Sequence, residues 1–447
     1  RLWRGLKSGA RFHFSVFVIS RLMKLAFVCL CTIQCLRGVC WATQRPQGFL
    51  LLLLVDEGLS PQMVGTLSAC GLVAQVVGGP VVGVMADSVV SKTCIIGVCA
   101  LLKGLLYLVL WPVLASVGEQ TARFWASLCM VMLGSLLEYG GVLSELNFAT
   151  VGNEGYVKVR AFSGIGFATG NICVGVLAHV VPGIGLRVVF PLGLAVSLTI
   201  IVALAPLHRG AQVREVSLTR HALPRGPTCT SPEVASSTDS TPGSIEGHAI
   251  STNSTLWRFM CSGSTPWFFA TCLLIAIGEG VMQSYTFVAL KRLRHGTTWV
   301  MGLSTVCMIA SEVPFTLWSK RILSKYGVML TLLSALLFQS IRMAWTSVLW
   351  DAFWVLPGEL LHGVTFATAY AVANLHVSDI APPGYRSTAQ SLVSSAFQLG
   401  MAAAGFLGGM FINQFGVVPL FRAAAALALL GTLLPAWQAV SNRCFCF

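Results

Sequence analysis

The chain predicts an all-α polytopic membrane protein of twelve spans, and three observations predict it. Of its 447 residues 55% are hydrophobic and only 10% charged, against about 25% charged residues in ordinary soluble domains. Mean hydropathy is +0.78, too apolar for a surface that meets only water. Apolar runs long enough to cross a hydrocarbon core, about 20 residues each, recur along almost the whole chain.

Read by length and by polar breaks, the first six runs lie near 25–55, 61–86, 93–113, 124–150, 161–181 and 184–206. The second six lie near 265–290, 298–319, 327–349, 352–380, 386–412 and 417–440. The first run carries Arg37, Arg45 and Pro46; a single tilted, kinked helix is its expected form, and two pieces the alternative. Between the two sets lies a stretch such as TCTSPEVASSTDSTPGS, which holds no apolar run. It cannot bury enough surface to offset the entropy of ordering, so a flexible linker is expected. The organisation is then a basic segment over 1–24, a six-helix bundle over 25–206, a linker over 207–258, a second six-helix bundle over 259–441 and a tail over 442–447. The first residue is Arg1 rather than Met, which leaves open whether the natural N-terminus lies upstream.

Lys and Arg set the sidedness. Arg1, Arg4, Lys7, Arg11, Arg21 and Lys24 precede the first span. Lys92, Lys158, Arg160, Arg209, Arg214, Arg220, Arg225, Lys320, Arg321, Lys325 and Arg386 fall in or beside even-numbered loops. Odd-numbered loops hold fewer, chiefly Arg123, Arg187, Lys291, Arg292 and Arg294. Positive residues accumulate on the cytosolic side, so both termini and the linker are expected in the cytosol. The net charge of +13 thus reports topology and not nucleic acid, since the basic residues form no aromatic-interleaved patch. Most of the fifteen cysteines, such as Cys29, Cys31, Cys35, Cys129 and Cys173, sit in apolar runs, where the thiol behaves as a small hydrophobe. Cys444 and Cys446 are candidates for palmitoylation.

No His-Glu-x-x-His helix, Walker loop, zinc-spaced cysteine pair or cofactor fingerprint occurs in the chain. An enzyme and an ATP-driven pump are therefore excluded, and no cofactor or metal is expected. The expected partners are the lipid bilayer and a small-molecule solute, with the protein as a monomer.

Two stretches echo each other. GTLSACGLVAQ from Gly65 matches GLSTVCMIASE from Gly302 without gaps, pairing Cys70 with Cys307 and Gln75 with Glu312. At a similar offset, Gly155 and Tyr156 with Arg160 resemble Gly384 and Tyr385 with Arg386. Two parallel six-helix repeats, with a site near the midplane between them, account for both echoes.

Six plus six helices with a long middle loop resemble the layout of the major facilitator superfamily. GVMADSVVSK, with Gly83, Asp87 and Lys92, resembles that superfamily's motif between spans two and three. It departs from the motif at Ser88 and Val89, where a basic residue and a glycine are usual. A closer resemblance is to the branch joining the major facilitator superfamily associated domain proteins with oligosaccharide and nucleoside proton symporter-like permeases. GNEGYVKVRAFSGIGFATG, with Tyr156 and Arg160, resembles the start of its span five, and SEVPF, with Glu312, its span eight. ELLHGVTFATAYA and APPGYRSTAQSL, with Arg386, resemble its spans ten and eleven. The resemblance covers most of 25–440 and implies a major facilitator fold and a secondary transporter of a small polar organic solute, with or without proton coupling. A transporter-like receptor or scaffold that binds a ligand in the same cavity is the alternative.

A charged side chain at the centre of a span costs about 2.5–3.5 kcal/mol, and roughly ten facing lipid would cost on the order of 30 kcal/mol. They must pair or line water. In the superfamily layout spans one, four, seven and ten surround the cavity. Those spans carry Arg37 and Arg45, Glu138 and Glu145, Glu279, and Glu359 and His362. Glu138 and Glu145, seven residues apart, are expected on one face. Glu359 and His362, three apart, are expected side by side as a proton-coupling pair, because imidazole titrates near neutral pH. The alternative is a structural pair, with Glu359 neutralising Arg45. Lys103, Glu312 and Arg342 are expected in internal pairs, and Gly83, Asp87, Lys92, Tyr156, Arg160 and Arg386 in gating or structural roles. Gly400, Ala404 and Gly408 run four apart in span eleven, a spacing that lets membrane helices touch closely. Mixed signs in the cavity favour a polar, zwitterionic or sugar-like solute.

The sequon Asn253-Ser254-Thr255 tests the sidedness. On the cytosolic side it stays unmodified, so Asn253→Gln is expected to leave gel mobility unchanged in protein made by eukaryotic cells. A glycan at Asn253 inverts the orientation.

Overall fold

The computed structural model describes residues 24–45, 47–88, 91–181, 185–221, 258–261, 263–382 and 386–434, without the side chains of 84, 87–88, 148–149, 152–154, 156–157, 209–221 and 386–388. Among these residues nine helices have the length and apolarity of a membrane span. One of them, Thr298–Ser347, holds two spans. Gly327 leaves the helical region at φ 72 and ψ 170, a conformation open to glycine alone at little cost. Glu312 and Arg342 both touch His362, although an unbroken helix would hold them about 45 Å apart. With that helix counted as spans eight and nine, span ten over 352–380 and the apolar helix Val417–Gly431 complete the expected twelve.

The run Gly140–Val180 folds in the same way. A side chain at Gly140 would collide with Arg37, and one at Gly166 with the backbone of Cys35. A straight helix would separate those two glycines by about 39 Å, so the end of span four and all of span five lie within this run, turned back on each other.

One expectation is corrected. Span one is not a single helix: residues 24–44 are helical, 45, 47 and 48 are not, and the helix Phe49–Asp56 follows. A proline at 46 removes one backbone donor and disfavours helix at the residue before it, and Gly48 turns the chain at φ 58. Span six lies at Gly185–His208, close to its expected 184–206, and its helix runs on to His221, because Leu207, Ala211, Gln212 and Glu215 are good helix formers and no proline follows until Pro224. Residues 1–23, most of the linker with its sequon, and the tail with Cys444 and Cys446 lie outside the described residues.

The two halves meet where their backbones come closest. Span two packs on span eleven and span five on span eight. Gly65 sits against the carbonyl of Gly405, and Gly302, its counterpart in the internal echo, against Asn171. Thr298 Oγ1 donates to the Gly175 carbonyl at 2.7 Å. On the face formed by the odd-numbered loops, Lys291 pairs with Asp56 across the halves. Arg187 Nη2 lies 2.7 Å from Glu57 Oε1, and His295 Nδ1 lies 2.5 Å from Asp351 Oδ2. The Phe353 backbone N–H, followed by the His295 ring, holds the Asp351 carboxyl below its ordinary range.

Close packing of this kind leaves no room for a side chain. Gly166→Val is expected to lower stability by about 1–3 kcal/mol or more, read as a lower unfolding temperature in detergent. Gly79, which has nothing within 4 Å of an added Cβ, is expected to accept alanine within about 0.5 kcal/mol.

Candidate functional site

A cavity of about 540 Å³, its mouth included, lies between the halves. Trp41, Arg45 and Asn171 line it from the first half, and Gln283, Arg342 and Glu359 from the second.

Its second-half wall is organised by Arg342, whose side chain is 2% exposed. Nη1 donates to Glu279 Oε2 at 3.1 Å and Nη2 to Glu359 Oε2 at 2.5 Å. Nη1 also lies 3.3 Å from His362 Nδ1. Glu279, fully buried, accepts a further bond from Gln283 Nε2 at 2.9 Å. His362 stands between two carboxylates, with Nδ1 3.4 Å from Glu279 Oε1 and Nε2 3.4 Å from Glu312 Oε2. Glu312 is 31% exposed, so the cluster reaches from a sealed interior to the protein's surface.

Local backbone sets this geometry. Span ten is a short helix at Val355–Glu359, then a wide π turn at Gly363–Ala367, then Thr368–Ile380. The N–H of Gly363 is taken by Ser311 Oγ at 3.0 Å, and any side chain at 363 would strike Phe315 and the Ser311 backbone. Such π turns recur at functional sites. From His362 an aromatic ladder runs down the same helix, with Phe366 at 5.4 Å and Tyr370 5.7 Å further on. It ends on Arg160 of span five, 5.6 Å from the Tyr370 ring.

The first-half wall has its own cluster. Arg37 Nη2 donates to Glu138 Oε1 at 3.1 Å, and Lys103 Nζ lies 3.6 Å from Glu138 Oε2. Trp41 stands between Arg37, 4.4 Å from its ring, and Arg45, 5.5 Å away. Among the described residues no carboxylate pairs with Arg45.

The sequence-predicted residues divide accordingly. Glu279, Glu312, Arg342, Glu359 and His362 come together, and Arg37 joins Glu138. Three expectations change. Glu359 and His362 do not pair directly, because the helix is interrupted by a turn at Leu360 and Leu361 between them; each binds Arg342 instead. Glu359 therefore does not neutralise Arg45. Glu145 is not on the face of Glu138: the helix breaks at Leu137–Tyr139, and Glu145, 55% exposed, pairs with Lys92. Nothing lies within 4 Å of a Cβ added at Gly83. The side chains of Asp87, Tyr156 and Arg386 lie outside the description. Sequence reasoning missed Trp41, Asn171 and Gln283. The four-residue spacing of Arg37, Trp41 and Arg45 was the available signal for the first, and an amide inside an apolar span for the other two.

A family model described as the MFS_1 like family matches residues 46–423. The chain is 26% identical over 165 residues to a protein of Mus musculus named major facilitator superfamily domain-containing protein 6-like. It is 29% identical over 130 residues to a protein of the same name from Danio rerio. These alignments take in 36% and 27% of this chain but only 27% and 23% of the relatives, so the chain matches about a quarter of each relative's length. The nucleoside transporter NupG superposes with a TM-score of 0.65 at 13% identity, over 93% of this chain and 98% of that one. A POT family transporter in complex with 5-aminolevulinic acid superposes with a TM-score of 0.63 at 12% identity, over 92% and 95%. At such identity the likeness is one of fold. Twelve spans in that fold, under a family model that covers most of the sequence, make the chain an integral, multi-pass membrane protein that belongs to the MFS_1 like family.

Proposed function

We propose that the protein is a secondary transporter that moves a small organic solute by alternating access and couples that movement to protons through His362. The observation that carries this reading is the place of His362, 1% exposed between Glu279 and Glu312 and bonded to the same guanidinium that faces the cavity. A neutral imidazole accepts from Arg342 at Nδ1 and donates from Nε2 to Glu312. A charged one donates to both carboxylates and must give up the Arg342 contact. One proton therefore changes which groups hold Arg342, and Arg342 with Glu359 lines the cavity. Glu312, the partly exposed member of the cluster, is the way in for the proton.

The halves, 25–206 and 259–441 in the sequence, would move against each other at the span two–eleven and five–eight contacts, with the Lys291–Asp56 pair closing the odd-loop face. The linker and both termini are assigned to the cytosol by the Lys and Arg distribution.

Proton movement and tracer uptake in proteoliposomes, screened over sugars, nucleosides, amino acids and organic anions, test the reading. His362→Gln is expected to lower pH-driven uptake at least tenfold while solute exchange persists. Unchanged pH-driven uptake in that variant removes the coupling role. Arg342→Gln leaves Glu279 and Glu359 buried without their cation, and a loss of roughly 3–5 kcal/mol is expected as loss of folded protein. Binding with no flux of any solute by well-folded protein replaces the transporter with a receptor.

A further inference from the structure

Resting on the reading of this cavity as the transport site, we infer that its solute is a small organic carboxylate with a planar apolar body, its carboxylate held by Arg45. The Arg45 guanidinium lines the cavity. Its guanidinium stands over the face of Trp41, and among the described residues it forms no ion pair. A cation held away from bulk water without an anion is costly, and a carboxylate is the group whose two oxygens match a guanidinium fork.

The second observation is the broken span. Gly48, also in the cavity wall, precedes the eight-residue helix Phe49–Asp56, and no side chain caps its start. Half-helix N-termini in broken membrane helices attract anionic groups. Arg45 and this helix end are three residues apart in sequence and act on the same ligand group.

The remaining walls set the body of the solute. Trp41, Phe167 and Phe287 present ring surface, while Asn171 and Gln283 supply amides. A zwitterion fits poorly. Its ammonium would need a free carboxylate, yet Glu279 and Glu359 share Arg342 and Glu138 serves Arg37 and Lys103. Among the described residues that line the cavity, the charge without an ion pair is that of Arg45, which favours a monovalent anion over both the zwitterion and the sugar that mixed cavity charges suggest.

Binding to the purified full chain in nanodiscs, by calorimetry, separates the possibilities. Benzoate and phenylacetate are the probes; benzamide, phenylacetamide and the amino acid phenylalanine are the controls. The acids are expected to bind at least tenfold tighter than their amides and tighter than phenylalanine. Arg45→Gln is expected to erase the preference, and Arg45→Lys to retain part of it. Amides that bind as well as the acids overturn the inference in unmodified protein, whether or not the variants fold. Acid binding that persists unchanged in folded Arg45→Gln overturns it as well. Arg45-dependent binding without flux in proteoliposomes upholds the site and refutes transport. Proton-linked flux of another solute class, with no acid binding, does the reverse.

Discussion

A guanidinium taken out of water must be matched by bonded anions, and in this protein the second half is arranged around that requirement. Removing Arg342 from water carries a penalty of several kcal/mol, which only good geometry to Glu279 and Glu359 can offset. Those two carboxylates stand on spans seven and ten, and Arg342 on span nine, so one side chain fixes three helices at the same depth. Span ten meets the demand by giving up α geometry. Its π turn follows His362 directly, and Gly363 lets the turn press against span eight at Ser311. Helix position, backbone irregularity and a missing side chain thus trace to one buried charge.

The charges near the cavity are also sorted by half. Among the described residues, Glu138 of the first half pairs with Arg37 and Lys103 while Arg45 has no carboxylate; in the second, Arg342 pairs with Glu279 and Glu359, and His362, able to add one positive charge, lies between Glu279 and Glu312. An excess of cation on one wall and of carboxylate on the other sets up a field across the cavity. In surroundings less polarisable than water such fields act strongly. An anion settling near Arg45 and a proton settling on His362 would each reduce the imbalance on its own wall.

The sequence made the architecture legible because the bilayer enforces it: run length and apolarity count the spans, and the twelve appear where the runs lie. The internal echo also carried structural meaning, since Gly65 and Gly302 occupy matching places between the halves. Pairing was less legible. Sequence separation along an ideal helix placed Glu359 beside His362 and Glu138 above Glu145, and in both cases the helix between departs from that ideal. Which acid meets which base depends on neighbours from other spans, as Arg342 illustrates by joining residues 63 and 17 positions away. Pro46 announced a kink in span one from the sequence, but only the structure reveals that Arg45, Gln47 and Gly48 line a cavity.

The glycines between the halves have a mechanical consequence. Gly65 against the Gly405 carbonyl and Gly302 against Asn171 are contacts of backbone on backbone, held mainly by dispersion. Such attraction is short-ranged: a gap of about 0.5–1 Å already forfeits a quarter to a half of it. The seam therefore behaves like a snap fastener. It resists small displacements firmly, then lets go almost at once, and beyond that point only the longer reach of charged pairs such as Lys291 and Asp56 still draws the two sides together.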